Sequence, residues 1–240
     1  MSFMDNTFSY SKSNDKKEDK DDNSCKVVIV GESGVGKTCI MIRFVQNKFD
    51  KNQLSSIGAS YVDKTIKLKI DDKQEPIQFM IWDTTGQEKY RALTRNFYTD
   101  AKVAILVYDS TCRDSFDKIK EFWFKEIIDN CPKDIIIALA ANKIDEYMKE
   151  EVSQEEGQNF AEDNNIIFGC TSALSGSGVY ELFADVGMKY LKSIIDKRKE
   201  MEKENNDKKN EQNQKADNKI KLNNSKHKKK KKRKKGKDCC

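Results

Sequence analysis

Apolar residues along this chain fall into short runs separated by helix-length segments. Residues 25–30, CKVVIV, form one such run, which enters a glycine-rich loop, and residues 40–49, IMIRFVQNKF, follow with helical spacing. From Tyr61, YVDKTIKLKI sets Ile66, Leu68 and Ile70 against Lys67 and Lys69, the period-two pattern of a half-exposed strand. Asp71-Asp72-Lys73 offers a turn, and IQFMIW (77–82) returns as the partner strand. VAILVYD (103–109) and IIIALAANK (135–143) are almost unbroken apolar runs, as in strands covered on both faces. Between them, residues 114–129 predict a helix capped by Asp114 or Ser115. SQEEGQNFAED (153–163) predicts another helix and IIFGC (166–170) a short strand. A last helix carries Val179, Leu182, Phe183, Val186, Tyr190 and Ile194 on one stripe.

This alternation predicts an α/β fold: a mostly parallel six-stranded sheet with helices on both faces and one antiparallel edge strand from the early hairpin. A length of 240 residues suits one domain with tails. Charge divides the chain further. Residues 1–25 carry four Lys against six acids, and residues 197–240 carry nineteen Lys/Arg against seven. The stretch between them holds twenty-two against twenty-seven, so a mildly acidic globule lies between a polar leader and a strongly basic tail. The expected division is a disordered leader over 1–24, a folded domain over 25–196 and a flexible basic tail over 197–240. The leader has no apolar segment, so neither a signal peptide nor a membrane span is expected there. Cys25, Cys39, Cys112, Cys131 and Cys170 are scattered without CxxC pairing and read as reduced thiols.

The first chemistry lies in GESGVGKT, Gly31 to Thr38, which matches G-x-x-x-x-G-K-[ST] between a strand and a helix. The backbone N–H groups of Ser33, Gly34, Val35, Gly36, Lys37, Thr38 and Cys39 can converge on phosphate oxygens at the helix N-terminus. In this motif the lysine, Lys37, reaches the terminal phosphates and the hydroxyl, Thr38, binds Mg²⁺. Such a loop needs an acidic group at another strand end, and Asp83 in WDTTGQEKY supplies one. Gly86 can offer an N–H to a terminal phosphate and Gln87 can orient the attacking water.

After the strand IIIALAA comes NKID. Guanine presents its N1–H and 2-amino group side by side, so a single carboxylate, Asp145, can accept both, whereas adenine offers it a lone pair. Asn142 would tie the base loop to the phosphate loop, and the Lys143 stem would cover the ring. In TSAL, Thr171 to Leu174, a backbone N–H from Ser172, Ala173 or Leu174 can reach the guanine O6.

With GESGVGKT, SSIGASY, WDTTGQEKY, ANKID and TSAL in this order, the sequence resembles the Rab family of small Ras-like GTPases from about Lys26 to Ile195. The resemblance implies a P-loop small G domain that binds GTP and GDP with Mg²⁺ and hydrolyses GTP, with Lys37 and Gln87 as its catalytic residues. Ser56 falls where the family has a Thr in the Mg²⁺ shell, beside Thr38 and Asp83. Phe49 falls where it has an aromatic against the guanine. Ile57, Gly58, Tyr61, Trp82 and Phe97 fall on its effector-reading segment, plain core packing being the lesser alternative for the three aromatics. The wording SIGASY and FMIWDTTGQEKYRAL looks most like the endosomal branch. Three departures stand out: Ser56 for Thr, Thr85 for Ala and Leu174 for Lys.

On charge alone, the basic run Lys226 to Lys237 suits nucleic acid, nuclear import or an anionic membrane. The terminal Cys239-Cys240 matches the Rab pattern for double geranylgeranylation, and two prenyl groups with a polybasic patch form a two-signal anchor. The resemblance thus implies a membrane-anchored switch in vesicle trafficking on the cytosolic face of an intracellular membrane, with a cytosolic pool and no nucleic-acid partner. It implies a nucleotide exchange factor, a GTPase-activating protein, a GDP-dissociation inhibitor, a Rab escort protein and trafficking effectors. Two rivals stand beside it: a GTP-binding recruitment module with little hydrolysis, and a basic-tailed GTPase acting on nucleic acid.

Overall fold

The computed structural model describes residues 23–50, 60–84 and 97–203. Their backbone forms a six-stranded sheet in the order β2-β3-β1-β4-β5-β6. The strands are β1 (Ser24–Val30), β2 (Ser60–Ile70), β3 (Lys73–Asp83), β4 (Val103–Asp109), β5 (Ile136–Asn142) and β6 (Ile167–Cys170). All neighbours are parallel except β2 and β3, which pair antiparallel from Ser60 opposite Asp83 to Ile70 opposite Lys73. Asp71 and Asp72 join these two with left-handed φ values of 47° and 64°, a turn whose twist matches that of a hairpin and which Asp tolerates.

Period two along the strands separates two apolar cores. Val27 and Ile29 of β1 and Val103, Ile105 and Val107 of β4 face one side. Val28, Val30, Ala104, Leu106 and Tyr108 face the other. Every residue of β4 and β5 is buried, which is why both read as continuous apolar runs.

Helix α1 (Lys37–Gln46) and a final helix, α5 (residues 179–203), cover the first core. There Phe44 stacks on Phe183 with centroids 3.8 Å apart, and Phe79 of β3 meets both edge-on. The second core is covered by α2 (Arg113–Lys118), a π-helical turn (Ile119–Trp123) and α3 (Phe124–Asn130), which run on as one helical segment, and by α4 (Gln154–Asp163).

Two helix ends differ from the sequence expectation. The segment at 113 is capped by neither Asp114 nor Ser115. Its N-cap is Cys112, the Arg113 N–H is taken by Glu151 Oε2 at 2.7 Å, and the Ser115 hydroxyl turns back to the Cys112 carbonyl. The last helix continues past 196 to 203, and Lys197 there pairs with Asp134 at 2.8 Å. At the other end, Asn23 is already buried and donates to the Pro76 carbonyl. Among the described residues no helix is long and apolar enough to cross a membrane.

Candidate functional site

The carboxyl ends of β1, β3, β5 and β6 deliver their loops to one end of the sheet. The chain leaves β1 to build one side and returns to build the other, so the crevice beside β1 is a switch point. The loop after β1 is pressed close to its neighbours. A Cβ on Gly31 (φ 144°) would lie 2.2 Å from the Val107 carbonyl oxygen, and one on Gly36 (φ 97°) would lie 2.3 Å from Asn142 Nδ2. Glycine is required at both places. Gly36 then opens α1.

Lys37 is buried, and its ammonium donates to the carbonyls of Gly31 at 2.9 Å and Glu32 at 2.7 Å. Burial lowers its pKa to about 8, against the opposing pull of Asp83 and Glu32. The Thr38 hydroxyl donates to Asp83 Oδ2 at 2.5 Å, and Asp83 is wholly buried at the end of β3. Thr84 fixes that strand end by donating its hydroxyl to the Ile29 carbonyl at 2.8 Å. Two hard oxygen donors thus meet at the mouth of the phosphate loop. Among the described residues no group of three or more His, Cys, Asp or Glu gathers for a metal. That donor set suits Mg²⁺, which takes one or two protein oxygens beside phosphates and waters, and does not suit zinc.

The second half of the crevice is built on β5 and β6. Asn142 Nδ2 donates to the Val35 carbonyl at 2.8 Å, joining this half to the phosphate loop. Its Oδ1 accepts from the Thr171 hydroxyl at 3.2 Å and from the Ala173 N–H at 3.3 Å. Lys143 has a left-handed backbone, φ 65°, and its ammonium lies 2.6 Å from Asp109 Oδ2. Asp145 lies in the first turn of the short 3₁₀ segment Ile144–Lys149, and its Oδ1 accepts from the Ser172 hydroxyl at 2.5 Å. Gly34, Gly36, Cys39, Phe49, Asn142, Lys143, Asp145, Ala173 and Leu174 all line one cavity of about 590 Å³, within the usual range for a small-molecule site.

Ser33 lies exposed on the loop and Val35 beneath it is buried. Tyr61, Trp82 and Phe97 form a continuous aromatic row, with centroids 4.9 and 5.3 Å apart. Tyr61 is 46% exposed, while Trp82 and Phe97 are half-buried against the second core. Ser56, Ile57, Gly58, Gly86, Gln87, Cys239 and Cys240 lie outside the described residues.

Sequence reasoning missed three supports of this site. Arg43 reaches the carbonyls of Ala173 and Leu174, Asp109 holds Lys143, and the Trp123 indole N–H donates to Glu32 Oε1 at 2.8 Å. None belongs to a motif. Only the buried end of the run VAILVYD, an acid where the apolar pattern stops, hinted at Asp109.

A β1–loop–α1 phosphate cradle, a carboxylate at the end of β3 and an Asn-Lys-x-Asp turn on β5, arranged on this sheet, define a small P-loop G domain. A family model described as "Ras family" matches residues 26–192. The chain is also 42% identical over 169 residues to "GTP-binding protein ypt3" of Schizosaccharomyces pombe, an overlap that spans 70% of this chain and 77% of that protein. The chain belongs to the Ras family and, within it, is a Rab-type small GTPase, a GTP-binding protein of a kind that hydrolyses GTP.

Proposed function

We propose that this protein is a membrane-tethered guanine-nucleotide switch in intracellular vesicle trafficking. The observation that carries the reading is the shared cavity, where the Asn142–Val35 bond joins the phosphate cradle to the Asp145–Ser172 pair. Asp145 accepts the two donors of guanine, and an N–H of the Ser172–Leu174 stretch meets O6. Phe49, the Lys143 stem and Leu174 cover the ring. The backbone of Ser33 to Cys39 and the Lys37 ammonium bind the phosphates. Thr38, Ser56 and Asp83 would hold Mg²⁺, which would supply positive charge beside the phosphates. Gln87 orients the attacking water, and Gly86 and Ser56 sense the γ-phosphate.

The switch's output is the segment Ile57–Gly58 with the aromatic row Tyr61, Trp82 and Phe97, which trafficking effectors read in the GTP state. The G domain spans about 25–196, between a leader and a basic tail that ends in two prenylated cysteines, Cys239 and Cys240. The protein acts on the cytosolic face of an intracellular membrane, the wording of its switch segments favouring an endosomal one. An exchange factor, a GTPase-activating protein, a GDP-dissociation inhibitor and an escort protein complete its cycle.

Nucleotide competition on the purified chain tests the core of this reading. Asp145→Asn replaces a double acceptor by an amide whose donor opposes guanine, so GTP affinity falls and xanthosine triphosphate binding rises. Unchanged guanine preference in the variant removes the assignment.

A further inference from the structure

Arg43 lies on α1, one helical turn after Cys39. Its guanidinium collects backbone carbonyls. Nε donates to Ala173 O at 2.8 Å and Nη2 to Leu174 O at 2.7 Å, two successive carbonyls held by one planar fork. Nη1 donates to Asn47 O at 3.0 Å and to Asn47 Oδ1 at 3.3 Å. Asn47 ends α1 with a left-handed backbone and leads into Phe49, which lines the cavity. One side chain therefore braces the two strips of backbone that carry Leu174 and Phe49.

The brace also sets a peptide orientation. A trans peptide holds its C=O and the following N–H antiparallel, so fixing the Ala173 carbonyl on Arg43 fixes the Leu174 N–H away from it. The loop 171–176 belongs to no helix or strand. The Ile144 N–H holds the Thr171 carbonyl and the Gly176 N–H that of Ser172, while Arg43 holds those of Ala173 and Leu174.

We infer that Arg43 is a positioning residue for guanine recognition: it aims the Ala173–Leu174 backbone at the 6-oxygen of the base and so sets how long nucleotide stays bound. The inference rests on the guanine-nucleotide reading above. Lysine cannot replace it, because a single ammonium cannot serve two successive carbonyls and Asn47 in fixed directions.

The test measures dissociation of fluorescent GDP from the full chain, native and with Arg43→Lys or Arg43→Ala. Two analogues report on the base. Inosine diphosphate lacks the 2-amino group that Asp145 would accept. 6-Thioguanosine diphosphate keeps both Asp145 donors but replaces the oxygen by a larger, poorer acceptor. GDP dissociation should speed up on the order of tenfold in Arg43→Ala, one charge-assisted hydrogen bond's worth, and several-fold in Arg43→Lys. The preference for GDP over the thio analogue should narrow in both variants, while the preference over inosine diphosphate stays as in the native chain. Dissociation within twofold of native in both variants overturns the inference. So does an equal narrowing of both preferences, which marks general loosening. Arg43→Lys retains charge and length, so the test stands if Arg43→Ala fails to fold. A native chain that binds no guanine nucleotide would overturn the functional reading itself, a distinct result.

Discussion

Lys37 holds its charge where water does not reach. Its folded pKa, about 8, lies below the ordinary 10.5 because burial disfavours the ammonium. From about pH 8 upward, the unfolded chain keeps a proton that the folded chain has released. Stability of the nucleotide-free protein therefore rises with pH between about 8 and 10.5. Urea unfolding across that window should show the rise in the native chain and not in Lys37→Met. Parallel profiles would mean the ammonium is already well solvated. Thr85 raises a different question at the same scale. Thr85 lies outside the described residues. A β-branched side chain has a restricted χ1 where the family's alanine has no rotamer, and a hydroxyl near the γ-phosphate would compete with water for its oxygens. Positioning limits phosphoryl transfer in such switches, so Thr85→Ala should raise single-turnover GTP hydrolysis several-fold with little change in nucleotide affinity. An unchanged rate would make Thr85 a tolerated substitution.

Among the elements, α1 and α5 depend on the stacked pair Phe44–Phe183, with Phe79 edge-on to both. Phe183→Ala leaves a cavity at the centre of that trio and should cost about 3–5 kcal/mol, read as a lower urea midpoint with unchanged slope. A loss under about 1 kcal/mol would show that α5 collapses into the gap. Phe183 was legible in the sequence as one member of the stripe from Val179 to Ile194. The strands were equally legible, since β4 and β5 are buried on both faces and β2 on one. The π-helical turn at Ile119–Trp123 was not, because one shifted hydrogen-bond register leaves the apolar spacing nearly unaltered. The end of α5 was masked by composition: residues 197–203, KRKEMEK, are as polar as a tail yet contain only good helix formers. In the site, motif spacing brought out Lys37, Thr38, Asp83, Asn142 and Asp145. Arg43 stayed hidden because its partners lie 130 and 131 residues away and are backbone carbonyls, which leave no mark in a sequence.

At the scale of the whole molecule, a mildly acidic domain bears a basic tail, and charge alone gives the domain no attraction to an anionic leaflet. Under the proposed anchoring, residence on a membrane would need a lipid on the tail as well as its lysines, each basic residue near the surface adding about 1 kcal/mol. Changing Cys239 and Cys240 to Ser should move the protein to the soluble fraction with nucleotide binding intact. Neutralising Lys228 to Lys235 should weaken or redirect membrane binding while leaving prenylation in place. A Cys-free protein that still pellets with membranes would exclude the anchor.

The contact between Trp123 and Glu32 has an optical consequence. The chain contains only two tryptophans, Trp82 and Trp123. One is wedged among Tyr61 and Phe97 on the strand that ends in Asp83, and the other has its indole N–H held by a carboxylate of the phosphate loop. Their surroundings differ, one indole N–H bonded to a carboxylate and the other ring packed among aromatics, so their emission should differ in colour. The molecule thus contains two undyed lamps, one on each approach to the phosphates. Trp82→Phe leaves the loop's lamp lit and Trp123→Phe the strand's, and their relative timing during nucleotide exchange tells which side of the crevice lets go first.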